Sequence, residues 1–236
     1  MLAVPPWNEQ ATQTTWILGL FLLGYAAYYL FAESDYWRNY FSPHRGGPAR
    51  HMLWSRYLGG LLIGVLPALI LQLCTPHTLT EFGLKASFDL TSLWWILGLA
   101  FIIVPINYFN TRNDKHLAQY PTVRRQEWTW LQMIDYAGSW VVYLFGYELM
   151  FRGILLFGLL SVLGVWPTII LNVVLYVLVH LPKSMAESIG ALPLGLLLCL
   201  ITLSIGTIWV ALVVHITLAL SNFLFSFYHH PEMRRV

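Results

Sequence analysis

The sequence predicts an all-α polytopic transmembrane bundle of about seven spans, with the N-terminus outside and the C-terminus cytoplasmic. Three observations carry that reading. Hydrophobic residues make up 58% of the chain and charged residues only 10%, where a soluble domain carries about 25% charge. The apolar residues gather into runs, most of them close to the ~20 residues needed to cross a bilayer. The basic residues collect in alternate connections between those runs, as the positive-inside rule requires.

The runs lie near 16–32, 53–74, 93–110, 136–160, 166–181, 190–204 and 207–228. The first, fifth and sixth are short but strongly apolar. Gly60 and Gly64 form a small-xxx-small pair in the second run, the pattern of close helix packing. Pro67 and Pro105 fall inside the second and third runs, where a proline frees a carbonyl and predicts a kink. Pro167 suits the first turn of the fifth helix, and Pro182 closes that helix just after His180. Ser204-Ile205-Gly206-Thr207 reads as a tight reversal between the last two spans. No internal repeat stands out, and 1–236 reads as a single integral membrane domain.

Charge sets the orientation. Arg38, Arg45, Arg50 and Arg56 lie in or beside the first connection. Arg112, Lys115, Arg124 and Arg125 lie in the third, Lys183 in the fifth, and Arg234 and Arg235 in the tail. Lys85 alone falls in a connection on the opposite side. A net charge of +2 is too small to suggest a nucleic-acid partner. Cys74 and Cys199 have neither metal-ligand nor disulfide spacing and read as small apolar residues. Met1 to Thr15 contains no Lys or Arg, unlike the basic start of a secretory signal.

Chemistry enters where charge interrupts the apolar runs. Glu148 and Arg152 stand four residues apart in the fourth. Four helical residues turn through about 400°, so both side chains project from nearly one face. An isolated charge at bilayer depth costs at least ~2.5–3.5 kcal/mol, and a pair offsets much of that cost. The pair reads either as a structural lock between helices or as a base with its electrostatic partner. His180 follows Tyr176 by four residues on one face of the fifth run. His215 and Asn222 lie seven residues apart, about 700° of turn, and share a face of the last. Each is compatible with interhelical hydrogen bonding, worth ~0.6 kcal/mol on average, or with a site that polarises a carbonyl. Glu187, in the connection after His180, reads as a solvated loop charge or as a further carboxylate within reach of the site.

These groups, in this order and on these spans, resemble the CPBP family of intramembrane proteases, which includes the type II CAAX prenyl proteases and the Abi and bacteriocin-processing proteins. The family's first motif, Glu-Glu-x-x-x-Arg, is matched by Tyr147-Glu148-x-x-x-Arg152, followed by Gly153. Its second, Phe-x-x-x-His, is matched by Tyr176-x-x-x-His180. Its third, His-x-x-x-Asn, is matched at His215, with Ala219 where Asn is expected and Asn222 one turn further on. The similar region covers about 135–225.

The resemblance implies an endopeptidase that cleaves a peptide or protein substrate at the bilayer, with the chain in a bacterial cytoplasmic membrane. It implies that Glu148 and His180 polarise a water, that Arg152 holds Glu148, and that His215, with Asn222, stabilises the oxyanion. Tyr147 departs from the family, because it replaces the Glu taken as base. Either Glu148 takes over, or Glu187 supplies the carboxylate, or the protein is an inactive scaffold that binds a peptide. A small transporter is a further alternative. No cofactor is certain. Glu148, His180 and His215 are three candidate ligands for a divalent metal such as zinc, although no local His-Glu-x-x-His signature is present.

Overall fold

The structure is a computed structural model, and it describes residues 7–41, 47–181 and 185–236. Arg45, Pro182 and Lys183 lie outside the described residues. The chain is 78% helical and nearly all-α. In chain order it forms α1 (Glu9–Ala32), α2 (Asp35–Tyr40), α3 (Gly47–Cys74), α4 (Leu90–Asn110), α5 (Asp114–Leu117), β1 (Glu127–Trp128), α6 (Trp130–Leu163), α7 (Val165–Leu178), α8 (Met185–Ile205), α9 (Trp209–His229) and β2 (Arg234–Arg235).

Local chemistry sets where the long helices start. The Asn8 side chain accepts from the Ala11 amide at α1, and Asp89 accepts from the Ser92 amide at α4. Thr129 and Gln132 form a reciprocal capping box at α6, which satisfies two amides that the first turn leaves open. Gly206 supplies the reversal between α8 and α9 at φ 77°, a conformation that costs glycine little.

Among the described residues, six helices are long and apolar enough to cross a membrane: α1, α3, α4, α6, α8 and α9. Large apolar side chains stay exposed on their outer faces, among them Leu73, Phe101 and Leu131. Lipid can cover such faces, so the chain is an integral membrane protein. The expected fifth span is shorter than the sequence suggested: α7 has 14 residues, about 21 Å of helix. The residues flanking its two ends meet different partners. Gln13 near the start of α1 donates to the Gly158 carbonyl of α6, 2.6 Å away, which places the α6–α7 corner beside the N-terminus. Glu187 at the start of α8 is hydrogen-bonded by Tyr120 from the connection after α5. That contact also corrects the expected loop position of Glu187, which is in the first turn of α8.

Other contacts sort the connections between the two ends. The Ile208 amide donates to the Gly83 carbonyl at 3.2 Å, and the Trp209 indole donates to the Lys85 carbonyl at 2.7 Å. The stretch around Lys85 and the α8–α9 reversal therefore share an end. At the other, the tail strand β2 pairs with β1 in parallel.

The centre of the bundle is the crossing of α3 and α6. A Cβ on Gly64 would lie 2.0 Å from the Gly146 carbonyl oxygen, and one on Gly146 would lie 2.0 Å from the Gly60 carbonyl oxygen. The small-xxx-small pair thus brings backbone against backbone, as expected. Each helix also contains a widened stretch of i→i+5 turns, Leu61–Val65 in α3 and Leu149–Phe157 in α6. Pro67 lies two residues after the first of these. Such turns expose backbone groups that need new partners. In α6 the Asn172 amide supplies one, donating to the Phe151 carbonyl at 2.6 Å, while Cys199 approaches Asn172 Oδ1 at 3.3 Å. One buried side chain so ties α6, α7 and α8 together around the region that carries Glu148 and Arg152.

The glycine contact yields a direct test. Gly146→Ala is expected to lower the thermal unfolding midpoint of the detergent-solubilised protein, because the new methyl meets backbone rather than a side chain that can move. Overpacking of this kind costs ~1–3 kcal/mol or more. Gly98→Ala is the control, since a Cβ there meets nothing within 4 Å. Equal midpoints for the two variants would contradict the close crossing.

Candidate active site

Glu148 is the last residue before the wide turns of α6, and Arg152 is one turn further on. Both side chains are fully buried. Arg152 Nε lies 3.4 Å from Glu148 Oε2, and the guanidinium carbon stands 4.4 Å from the centre of the Tyr176 ring. The other carboxylate oxygen, Oε1, lies 2.7 Å from Nδ1 of His215 on α9. A carboxylate can only accept, so Nδ1 carries a proton, and a neutral ring in this geometry has its lone pair on Nε2. The Glu-Arg spacing read from the sequence therefore forms an ion pair, and a third helix joins it.

His180 follows the end of α7 and is buried. Its Nδ1 donates to the Tyr176 carbonyl at 2.7 Å. The Tyr147 hydroxyl is 3.5 Å from the same nitrogen, too far to compete with that bond. Both imidazoles thus have Nδ1 committed to a neighbour, which fixes the tautomer and the ring plane. The Tyr147 ring stands between them, with centroids 6.1 Å from His180 and 5.7 Å from His215.

A cavity of about 780 Å³ opens among these residues, within the usual size of a ligand pocket. Tyr147, His180, Glu187, His215 and Asn222 all line it, and Ala219 shares its wall. The exposed residues Glu33, Arg38 and Gln119 also line it, at the end of the bundle where the basic connections gather. Glu148 and Arg152 do not line it. The expectation that Glu148, His180 and His215 face one cavity therefore holds for the two histidines, while Glu148 stands behind His215 and reaches the cavity through it. Tyr176 is buried between α6 and α7 and likewise acts from behind, through its carbonyl. Asn222 does share a wall with His215, and its Oδ1 lies 2.7 Å from His116 Nε2.

Glu148 offers one oxygen to His215 and turns the other toward a guanidinium. Nδ1 of each histidine is engaged by an acceptor, which leaves Nε2 as the nitrogen that meets a proton or a metal. Among the described residues, no three His, Cys, Asp or Glu side chains converge as a metal site would require.

Residues 128–224 match the family model described as type II CAAX prenyl endopeptidase Rce1-like. The matched segment, which carries the Glu148, His180 and His215 motifs, is similar to that family. The match bears out the resemblance seen in the motifs, and the family is one of peptidases. No curated protein and no solved structure gives a match.

Sequence reasoning missed two residues that line the cavity and a third that holds one of its walls. Arg56 was counted as a loop charge, but it is buried inside α3 and lines the cavity. Its position within an apolar run was the available signal. Tyr120 lies in a connection and donates to Glu187. Burial, with the Glu187 carboxylate adding to it, pushes the Tyr120 phenol well above its ordinary pKa, so it remains a donor. His116, in the short helix α5 just before that connection, bonds Asn222. Polar residues between spans give no sign of folding back over a cavity.

Proposed function

We propose that the chain is an intramembrane endopeptidase that hydrolyses a peptide bond of a membrane-associated substrate, with His215 as base and Glu148 as the residue that positions it. The 2.7 Å contact between His215 Nδ1 and Glu148 Oε1 carries this reading. It leaves Nε2 as the basic nitrogen of a ring on the cavity wall. Water held between His215 and His180 gives its proton to His215 Nε2 as its oxygen attacks the scissile carbonyl. Glu148 stabilises the imidazolium that forms, and Arg152 balances the carboxylate. The Tyr147 hydroxyl and the Asn222 amide donate to the developing oxyanion. His215 then passes the proton to the leaving nitrogen, the C–N bond breaks, and an acid and an amine result.

This assignment moves the roles implied by the motifs. Glu148 cannot meet substrate from behind His215, so the imidazole takes the base role. Tyr147 stands on the cavity wall at the motif position where the resemblance places a Glu, and there it serves as a donor. A second reading rests on Glu187, a carboxylate that does line the cavity and that could serve as base itself.

Purified protein with a panel of membrane-anchored peptides distinguishes these readings. His215→Ala is expected to abolish cleavage. Glu148→Gln, which keeps the hydrogen bond and loses the charge, is expected to lower kcat by ~10²–10⁴. Glu187→Gln is expected to stay within a few-fold of wild type. Normal cleavage by folded Glu148→Gln together with loss in Glu187→Gln would move the base to Glu187. Should wild type cleave nothing while Tyr147→Glu gains activity, the chain is a scaffold that kept the cavity without its base.

We further propose one membrane domain of seven crossings in a bacterial cytoplasmic membrane, with α7 as the short fifth crossing and the cavity opening to the cytoplasm. The contacts that gather Tyr120, Glu187 and the tail at the basic end support it. Reporters after Val236 and near Lys85 are expected on opposite sides, cytoplasmic and external respectively. Both on one side would rule the arrangement out.

A further inference from the structure

We propose that Arg56 forms a subsite for a carboxylate carried by the peptide that enters the cavity it shares with His180 and His215. The inference rests on the peptidase reading for its substrate class, and on Arg56 itself for its chemistry.

Arg56 is only 6% exposed and lines the cavity. Its Nη2 donates to Thr122 Oγ1 at 2.7 Å, with Tyr136 Oη at 3.4 Å and Met52 Sδ at 3.7 Å, and Nη1 donates to Ser139 Oγ at 3.3 Å. The guanidinium carbon lies 4.0 Å from the centre of the Trp140 ring and 4.5 Å from that of Tyr136. Every partner is neutral. Among the described residues no carboxylate comes within 4.0 Å of this cation. Arg152, the other buried guanidinium among the described residues, has Glu148. A buried charge is retained when something pairs with it, and the open side of Arg56 is the cavity.

The surroundings select the anion. The guanidinium is planar and matches a carboxylate through two parallel N–H donors. Thr122 and Tyr136, whose hydroxyls lie 3.0 Å apart, can turn a proton toward the same oxygens. A single cation balances a single negative charge. Arg38, exposed on the same cavity, is paired with Glu33 and Asp35 and adds no second charge. Glu187, on the same cavity, is hydrogen-bonded by Tyr120. The wall thus offers Arg56 to an incoming carboxylate, either the peptide's C-terminus or an Asp or Glu side chain.

The test uses full-length protein in nanodiscs of neutral phosphatidylcholine. N-terminally acylated peptides of one sequence are compared as the free C-terminal acid, the C-terminal carboxamide, and the carboxamide with one Asp or its Asn counterpart. Binding is read from protein tryptophan fluorescence, so the result stands apart from whether cleavage occurs. Wild type is expected to prefer one acid form over its uncharged counterpart by about tenfold or more, in keeping with a charged hydrogen-bond pair. The acid that wins identifies the source of the carboxylate. Arg56→Gln is expected to erase that preference while leaving carboxamide binding within about twofold; Arg56→Lys is expected to keep a reduced preference. Equal binding of acid and carboxamide by wild type would overturn the proposal, and that comparison needs no variant to fold. A preference that survives Arg56→Gln would overturn it too. So would loss of the preference in wild type when phosphatidylglycerol is added, which would assign Arg56 to a lipid headgroup. Cleavage failing in every peptide while the acid preference persists would remove the peptidase reading and leave the subsite.

Discussion

The structure turns on one constraint: two opposite charges, Glu148 and Arg152, are fully buried in an apolar bundle. Neither can be exposed to lipid without a large cost, so the rest of the bundle is arranged to enclose them. Removing one partner of such a pair costs ~3–5 kcal/mol, because the other is left uncompensated. Tyr176 covers the guanidinium with its ring face, and His215 takes the carboxylate oxygen that Arg152 does not. The pair therefore fixes the relative placement of α6, α7 and α9, the three helices that carry the motif residues.

Around this pair the backbone departs from regular geometry. The wide turns at Leu149–Phe157 begin where the charges sit, and Asn172 takes up the Phe151 carbonyl. On the other side of α6, the glycine crossing with α3 holds the helix at backbone contact. The region is thus braced from two directions while one face opens on the cavity. In the proposed mechanism the reacting groups lie on that face, and Glu148, which does not line it, acts on them through His215.

Much of this was legible in the sequence because lipid penalises charge so strongly. Glu148, Arg152, His180 and His215 stand out within apolar runs, and hydropathy alone located the six long helices. The glycine pair in α3 was legible for a similar reason, since small residues have little other use in a lipid-facing helix. The wide turns were not, because apolar composition does not distinguish a 3.6-residue turn from a wider one. The same limit hid the layering of the site: helical spacing put Glu148 and Arg152 on one face but could not show that His215 closes over them. Arg56 was misread because a basic residue near a span end has an ordinary explanation as a topology signal. Its burial against Trp140 and Tyr136 depends on residues about 80 positions away.

The central claim is that Glu148 acts by fixing His215 with Nδ1 protonated and Nε2 bare. Nitrogen-15 NMR of histidine-labelled protein in lipid, with His215 assigned by a His215→Gln comparison, reads this directly. At pH above the imidazole's titration, the account predicts one protonated Nδ1 and one unprotonated Nε2 for His215, with the Nδ1 signal shifted by its bond to the carboxylate and moved again in Glu148→Gln. A His215 protonated on Nε2, or a Nδ1 signal indifferent to Glu148→Gln, would contradict it.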